Sequence, residues 1–156
     1  MLNQPDAQTA CYRASAIFQT AGLGSAPFTF QWQRETPAGS GIFLPLTDGP
    51  ATNHTVSGSA TRTLTISPLA GRTLPDAVAT RYRCIIANTC DTVTTLPASL
   101  AVCRSDYNCT GDVSVQDLFD FIDDWFIADA KANFNGVGAV TVQDLFDFLD
   151  SWFLGC

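Results

Sequence analysis

The sequence is poor in the residues that most catalytic and metal-assisted chemistry uses. It has a single histidine, His54, and no Cys-X-X-Cys pair, so a zinc site is not expected. Residues 1–102 contain no Ser/His/Asp set, no phosphate-binding glycine loop and no close pair of carboxylates, which predicts a protein that is not an enzyme. No apolar run approaches the ~18 residues that span a bilayer, and the first residues lack the basic and apolar regions of a signal peptide.

Charge is also scarce, and it is unevenly distributed. Charged residues make up 15% of the 156 residues and apolar residues 46%, a balance that allows a buried core. The net charge of −7 argues against a nucleic-acid partner, because phosphate binding needs a basic surface. Residues 1–102 carry a net charge of +1, whereas residues 103–156 hold ten aspartates and carry −8. The sequence therefore predicts a nearly neutral first part and a strongly acidic second part.

The six cysteines indicate an oxidising compartment. We therefore expect an extracellular or cell-surface protein whose signal peptide has been removed or lies outside this numbering. The acceptor motif for N-linked sugar occurs at Asn53 and again at Asn108, so the sequence is compatible with covalent glycans.

The first part of the chain is patterned as short β-strands. Alternation of apolar and polar residues predicts strands at residues 15–20, 28–33, 61–66, 82–87 and 94–102. Clusters of Gly, Pro, Asn and Ser separate them at residues 22–27, 36–41, 48–58 and 87–91. Strands at this spacing, without helical periods, favour a β-sandwich.

The second part contains an internal repeat. Residues 113–126 (VSVQDLFDFIDDWF) recur 27 positions later as residues 140–153 (VTVQDLFDFLDSWF) with three differences. On a helical wheel the large apolar side chains of each copy fall on one side and the aspartates on the other, which predicts two amphipathic helices. Ser114 and Thr141 each stand three residues before an aspartate, as in a capping box. The apolar side spans about 160°, wider than the ~100° that a surface helix needs.

Trp32 lies in an alternating strand, and Tyr82 and Cys84 follow fifty residues later in a Tyr-X-Cys sequence. This spacing resembles an immunoglobulin-like module. The resemblance implies that Trp32 is a buried tryptophan and that Tyr82 forms a tyrosine corner. The partner cysteine of that family would fall near Thr20, so the usual inter-sheet disulfide is missing and Cys84 is expected in the core without it.

A segment rich in oxygen-bearing side chains precedes each predicted helix. In residues 106–117 such side chains stand at positions 1, 3, 5, 9 and 12, with glycine at position 6 and a β-branched residue at position 8. This is the spacing of an EF-hand-type loop, because Ca²⁺ takes six to eight oxygen ligands and glycine allows the sharp turn. The predicted ligands of this first loop are Asp106, Asn108, Thr110, the carbonyl oxygen of Asp112, Ser114 and Asp117.

The second loop, residues 133–144, is a weaker copy. It keeps glycine at position 6 and aspartate at position 12, but Val137 at position 5 has no side-chain atom that can ligate a cation. Its predicted ligand positions are Asn133, Asn135, Val137, Ala139, Thr141 and Asp144. We expect one Ca²⁺ in the first loop and, in the second, either a weakly bound ion or an empty turn.

Two such loop–helix units in tandem, over about residues 104–156, resemble a dockerin. The resemblance implies docking onto a β-sandwich partner of the cohesin type, through loop positions 10 and 11 and the following helix. The aromatic residues that end each helix offer further apolar area. The predicted docking residues are Val115, Gln116, Ile122, Asp123, Trp125 and Phe126 in the first copy and Val142, Gln143, Leu149, Asp150, Trp152 and Phe153 in the second.

The two resemblances also imply pairings for the cysteines. The first and last strands of an immunoglobulin-like sandwich run side by side, which favours a Cys11–Cys103 disulfide. The ends of a dockerin meet, which implies a second disulfide between Cys109 and Cys156. The alternative for the first part of the chain is Cys11–Cys90 with Cys84–Cys103.

Together these patterns predict a fold of two domains. Residues 1–102 are expected to form an all-β immunoglobulin-like sandwich, and residues 103–156 a small all-α, dockerin-like pair of loop–helix repeats. The predicted function is that of a secreted assembly protein without catalytic activity. Its calcium-dependent tail would dock onto a β-sandwich, either that of the next copy, in a head-to-tail filament, or a separate cohesin. The alternatives are the C-terminal anchoring region of a larger secreted enzyme and a carbohydrate-binding or adhesive immunoglobulin-like module.

Overall fold

A computed structural model describes residues 2–11, 13–22, 24–51, 54–67 and 80–156. Within these residues ten β-strands precede two α-helices along the chain. The strands are β1 (Gln8–Cys11), β2 (Ala16–Gln19), β3 (Thr29–Glu35), β4 (Phe43–Pro45), β5 (Gly49–Pro50), β6 (Thr55–Ser57), β7 (Thr63–Ser67), β8 (Thr80–Ala87), β9 (Thr92–Thr94) and β10 (Ala98–Cys103). The helices are α1 (Val115–Phe126) and α2 (Val142–Leu154), with a short 3₁₀ turn at Ala130–Ala132 between them.

The strands form two sheets that enclose one core. The larger sheet has the order β1-β10-β8-β3-β4, with β9 also paired to β8, and the smaller has the order β2-β7-β6-β5. Strand β1 runs parallel to β10, whereas β10, β3 and β9 each run antiparallel to β8. This order is that of an immunoglobulin-like sandwich, so the predicted fold of the first part of the chain is confirmed.

The core between the sheets is built around Trp32. This residue lies opposite Cys84 in the pairing of β3 with β8, and both side chains are fully buried. The indole N–H of Trp32 donates to the carbonyl of Thr61 at 2.8 Å, so its polar atom is satisfied. From the other sheet, the ring of Phe18 packs 6.2 Å from that of Trp32 and 5.1 Å from that of Tyr82. The predicted core positions of Trp32 and Cys84 are confirmed.

Packing rather than a disulfide holds the two sheets together in the described residues. Cys84 is a free thiol, and burial raises its pKa to about 11. Thr20, near which the missing cysteine was expected, is buried, and its hydroxyl donates to the carbonyl of Asn3 at 2.6 Å. The stretch upstream of Tyr82 that would accept the hydrogen bond of a tyrosine corner lies outside the described residues, as does the acceptor motif at Asn53.

Two parts of the predicted strand pattern differ from the structure. The strand expected at residues 94–102 is divided into β9 and β10. Thr95 forms hydrogen bonds to the backbone of Cys84 through its own N–H and its hydroxyl, and Pro97, which has no N–H to donate, interrupts the strand pairing. Strands β5 and β6 lie within residues 48–58, where the sequence predicts a turn. Pairing with β7 holds β6 in place, since it buries Val56 opposite Ile66.

The predicted division into two domains, with a separate all-α second domain, is wrong. The described chain is mostly β, and its α-helices lie at the C-terminal end. The helical segment, which we define as residues 104–156, is bonded to the sandwich by two disulfides, Cys11–Cys109 and Cys103–Cys156. The predicted boundary between residues 102 and 103 falls inside β10. A segment of about fifty residues has little core of its own, and here covalent attachment sets its position.

These disulfides also correct the predicted pairing of Cys11 with Cys103 and of Cys109 with Cys156. Cys11 and Cys103 are indeed neighbours, because they are register partners in the parallel pair β1–β10. Each instead forms a disulfide with a cysteine of the helical segment. The Cα–Cα separations are 5.3 Å for Cys11–Cys109 and 5.2 Å for Cys103–Cys156, in the usual range for a disulfide. The alternative pairing is also overturned, because Cys84 and Cys90 are free.

An ion pair between buried Glu35 and partly exposed Arg81 lies in the larger sheet. Glu35 in β3 is buried and accepts hydrogen bonds from Arg81 Nε at 2.8 Å, from a second nitrogen of the same guanidinium and from the Gly41 amide at 2.7 Å. The hydrogen bonds from Arg81 are the main cause that lowers the pKa of Glu35 from 4.5 to about 2.

We expect this ion pair to make the stability of the sandwich depend on pH. A carboxylate whose pKa is lowered on folding contributes stability above its ordinary pKa of 4.5, and that contribution is lost as the pH falls towards 2. The free energy of unfolding should therefore fall less between about pH 5 and pH 2 in Glu35→Gln than in the wild type. Urea denaturation at several pH values measures this, with the exposed Asp6→Asn as control. Identical pH profiles for the wild type and Glu35→Gln would contradict the prediction.

Candidate cation loops and docking surface

The two sequence repeats contact each other reciprocally in the helical segment. The indole of Trp125 in α1 donates to the carbonyl of Thr141, which precedes α2, at 2.7 Å. The indole of Trp152 in α2 donates to the carbonyl of Ser114, which precedes α1, at 2.8 Å. Each helix therefore holds the first residues of the other in place. The two repeats are related by an approximate internal two-fold axis.

Four aromatic rings form the core of this segment. Phe121 and Phe148, at the same position of α1 and α2, stack with parallel planes and centroids 4.2 Å apart. Tyr107 and Phe134, at position 2 of each loop, pack edge-on against this pair at 5.4–6.0 Å. All four are buried, so each loop is anchored to the helices by its own aromatic residue.

A cation covers the outer face of each loop ring. The guanidinium of Arg104 lies 4.0 Å from the ring centroid of Phe134 and also donates to its carbonyl. The ammonium of Lys131 lies 3.8 Å from the ring centroid of Tyr107. Tyr107 in turn donates its hydroxyl to Asp124 at 2.9 Å. These contacts close the core on its two sides.

The first loop holds two buried carboxylates. Asp106 accepts the backbone N–H groups of Thr110 at 2.9 Å and Gly111 at 3.0 Å. Asp117 accepts the backbone N–H groups of Asn108 at 3.1 Å and Ser114 at 2.8 Å, and the Ser114 hydroxyl at 3.1 Å. Both side chains are more than nine-tenths buried, and the hydrogen bonds that hold them come from uncharged donors.

The oxygens at positions 3, 5 and 7 of this loop converge. The Thr110 hydroxyl donates to the side-chain carbonyl of Asn108 at 2.9 Å and lies 3.4 Å from the backbone carbonyl of Asp112. The Thr110 N–H is shared between Asn108 and Asp106, at 3.2 Å and 2.9 Å. Three of the predicted ligand positions, Asp106, Asn108 and Asp112, thus lie around a fourth, Thr110.

This donor set fits Ca²⁺. In the described part of the chain, no three His, Cys, Asp or Glu side chains come together to hold a metal by themselves. The first loop combines the Asp106 and Asp117 carboxylates with amide, hydroxyl and backbone oxygens, the hard donors that Ca²⁺ prefers. Two buried negative charges in one short loop are also costly unless a cation offsets them.

The second loop repeats the hydrogen bonds of Asp117 but not those of Asp106. Asp144 accepts the backbone N–H groups of Asn135 at 3.0 Å and Thr141 at 2.8 Å, and the Thr141 hydroxyl at 3.0 Å. At position 1, the amide nitrogen of Asn133 donates to the carbonyl of Gly138 at 2.8 Å. Val137 is 71% exposed, and Ala139 has no side-chain oxygen. The loop is therefore spanned by a hydrogen bond where the first loop has a carboxylate.

The structure separates the predicted docking residues into two groups. Trp125, Trp152 and Ile122 pack against the aromatic core, so they are partly buried and support the segment from inside. The remaining exposed members of the predicted set are Val115, Gln116, Asp123, Phe126, Val142, Gln143, Asp150 and Phe153. Leu149 is partly buried. The glutamines support their own helices, since each donates to an aspartate one turn later.

Two exposed aromatic residues were missing from that set. Phe119 and Phe146 hold the same position in α1 and α2, and their exposed fractions are 55% and 56%. Phe126 and Phe153 also match, at 74% and 77%. The width of the predicted apolar side was the signal, because a helix that buries about 100° of a 160° side leaves its flanks in water. We call these four residues the aromatic surface.

Comparison with known proteins finds no matching family model and no matching curated protein. Among solved structures, the chain is similar to the N-terminal Ig1-2 module of the Drosophila receptor protein tyrosine phosphatase DLAR, with 24% identity over 64% of this chain and a TM-score of 0.43. It is similar to tandem Ig repeats of Dlar at 23% identity over 65% of this chain, with the same TM-score. The match spans 46% of each of those chains. Neither helix of the described residues has the length and apolarity to cross a membrane.

The reciprocal indole hydrogen bonds predict equal losses from matched substitutions. Trp125→Phe and Trp152→Phe should each lower the free energy of unfolding by roughly 1–3 kcal/mol, because each removes a hydrogen bond and leaves a smaller side chain against the core. The exposed Phe119→Leu should stay within about 0.5 kcal/mol of the wild type. Chemical denaturation of the full chain measures all three. A large effect at only one tryptophan would contradict the reciprocal arrangement.

Proposed function

We propose that the chain is a secreted, non-catalytic assembly module that binds Ca²⁺ and docks onto a protein of the β-sandwich type, as a dockerin does. The observation that carries the proposal is the aromatic surface. Phe119, Phe126, Phe146 and Phe153 remain more than half exposed after the core of the helical segment and its disulfides to the sandwich are formed. Paired exposed aromatic side chains on a protein surface are typical of a protein interaction site.

The cation loops support this function by holding the helices that carry the aromatic surface. Asp117 and Asp144 each close a loop and accept the backbone N–H of the residue before a helix. When bound, Ca²⁺ supplies the positive charge that the loop carboxylates lack and fixes the loop backbone. Phe119 lies about half a turn beyond Asp117 in α1, so a loop that is fixed by Ca²⁺ also fixes the position of Phe119.

The partner that the chain's own charge distribution favours is a second copy. The helical segment contains ten aspartates, whereas residues 1–102 carry a net charge of +1, so unlike parts of two copies attract. The two disulfides hold the helical segment at one end of its own sandwich, which leaves the aromatic surface to meet the sandwich of another molecule. A contact between unlike surfaces is heterologous and, unless it closes into a ring, extends as a head-to-tail filament.

The apolar residues exposed on the sandwich agree with a protein partner better than with a sugar. In the described residues the large ones are aliphatic: Ile17, Ile42, Leu44, Val93 and Leu96. A sugar-binding sheet would present aromatic rings instead. Phe43, the nearest candidate, is half-buried and covered by the guanidinium of Arg83 at 4.1 Å.

We expect Ca²⁺ to bind mainly in the first loop. Isothermal titration of the full chain should detect one dominant site, and Asp117→Asn should weaken it by at least roughly tenfold, because that change removes a buried carboxylate ligand. Asp144→Asn is the matched control, since it removes the same helix-capping contacts from the second loop. Equal effects of the two substitutions would show that the loops are ranked wrongly, and no binding by the wild type would refute the calcium site.

We also expect Ca²⁺ to drive self-association. In sedimentation velocity, the weight-average sedimentation coefficient of the full chain should rise with protein concentration in Ca²⁺ and fall when a chelator is added. The double variant Phe126→Ser/Phe153→Ser should remain monomeric, whereas Thr92→Ala, which changes an exposed polar side chain of the sandwich, should associate like the wild type and serves as the control. A calcium-loaded chain that stays monomeric at high micromolar concentration would exclude the filament and leave a separate sandwich protein as the partner.

A further inference from the structure

We propose that the Cys11–Cys109 disulfide makes the cation affinity of the first loop sensitive to thiols. The disulfide holds the loop in the shape that binds Ca²⁺, and its reduction lets the loop relax. The inference rests on the proposed function, because it concerns the regulation of the same cation site.

Cys109 occupies a special position within the loop. It is residue 4 of the 12, between the predicted ligands Asn108 and Thr110. Its φ is +61°, in the left-handed region, which costs a residue with a side chain roughly 1–2 kcal/mol. The same position of the second loop is Gly136, with a φ of +69°. Both loops therefore need this backbone conformation, and only the second obtains it from glycine.

The disulfide replaces glycine as the source of this conformation in the first loop. A left-handed residue with a side chain persists only where its surroundings hold it there. Cys109 is bonded to Cys11, the last residue of β1, which is paired to β10 along its length. Two residues further, the guanidinium of Arg13 donates to the carbonyl of Ala130 at 2.6 Å, so this side of the sandwich is held against the helical segment a second time.

A change at Cys109 reaches the ligands directly. The Thr110 N–H, on the next residue, is shared between the oxygens of Asp106 and Asn108. If Cys109 leaves the left-handed region, the peptide groups on either side turn, and the oxygens at positions 1, 3 and 5 no longer face one another. Reduction therefore lowers affinity through backbone geometry, without removing any ligand.

The redox step is an ordinary thiol–disulfide exchange. One thiolate of a dithiol reductant attacks a sulfur of the Cys11–Cys109 bond and forms a mixed disulfide, and the other cysteine leaves as a thiolate. The second thiol of the reductant, as its thiolate, then attacks the reductant's own sulfur in the mixed disulfide, which closes the reductant's ring and releases the remaining protein cysteine as a thiolate. The protein gains two electrons and two protons as two thiols, and the dithiol is oxidised to its cyclic disulfide.

The test uses three double variants of the full chain, titrated with CaCl₂ in a calorimeter. Cys11→Ser/Cys109→Ser should bind roughly five- to thirtyfold more weakly than the wild type, which corresponds to the cost of the left-handed conformation. Cys103→Ser/Cys156→Ser, which removes the other attachment, should bind like the wild type. Cys11→Ser/Cys109→Gly should recover most of the affinity, because glycine adopts the required φ without the disulfide.

A second experiment, in which a thiol reductant is added, tests whether reduction of Cys11–Cys109 lowers the affinity for Ca²⁺. Cys103→Ser/Cys156→Ser retains Cys11–Cys109 as its disulfide among the described residues, so dithiothreitol should lower its affinity as far as in Cys11→Ser/Cys109→Ser. Wild-type affinity in Cys11→Ser/Cys109→Ser would overturn the inference. An equal loss of Ca²⁺ affinity in Cys11→Ser/Cys109→Ser and Cys11→Ser/Cys109→Gly would also overturn it, even if the first of these variants folds poorly. No binding by the oxidised wild type would instead refute the proposed function.

Discussion

The parallel pairing of β1 with β10 is the constraint on which the rest of the chain depends. It places Cys11 and Cys103, which are far apart in sequence, side by side at one end of the larger sheet. From there one disulfide reaches the start of the first loop and the other reaches Cys156 beyond α2. A helical segment too small to bury much of its own surface is thereby given a fixed place.

Within that segment, contacts between the two repeats and contacts from two basic side chains stabilise the fold. The stacked Phe121 and Phe148 rings and the reciprocal indole hydrogen bonds hold the two repeats together from inside. Arg104 and Lys131 cover the two loop rings from outside. Because these are the segment's own two basic residues, the ten aspartates are left with few local counter-charges.

Local patterns in the sequence predicted what local physics decides. Alternation located β2, β3, β7 and β8, and the spacing from Trp32 to Cys84 identified the sandwich, because both reflect the packing of one strand against another. The repeat located both helices, and Ser114 and Thr141 marked where each begins. The loop spacing picked out three aspartates that are buried, Asp106, Asp117 and Asp144.

What the sequence did not predict depends on contacts between distant segments. The disulfides were assigned wrongly because Cys11 and Cys103 are neighbours in the β1–β10 pair, and the local pattern does not show that each bonds to the helical segment instead. Strand β6 depends on its pairing with β7 on one side and β5 on the other. Phe119 and Phe121 are equally apolar in sequence, and only the position of α2 decides which of them is buried.

The two disulfides also change what a protease can do at the junction. Cleavage of the backbone between Cys103 and Cys109 would leave a sandwich fragment with Cys11 and Cys103 and a helical fragment with Cys109 and Cys156, still joined by two bonds. The nicked molecule would keep its shape and migrate as one chain until it met a reductant. Arg104, Ser105, Asp106 and Tyr107 are buried, which already protects this stretch, and the two disulfides would keep the parts joined even if the peptide chain were cut.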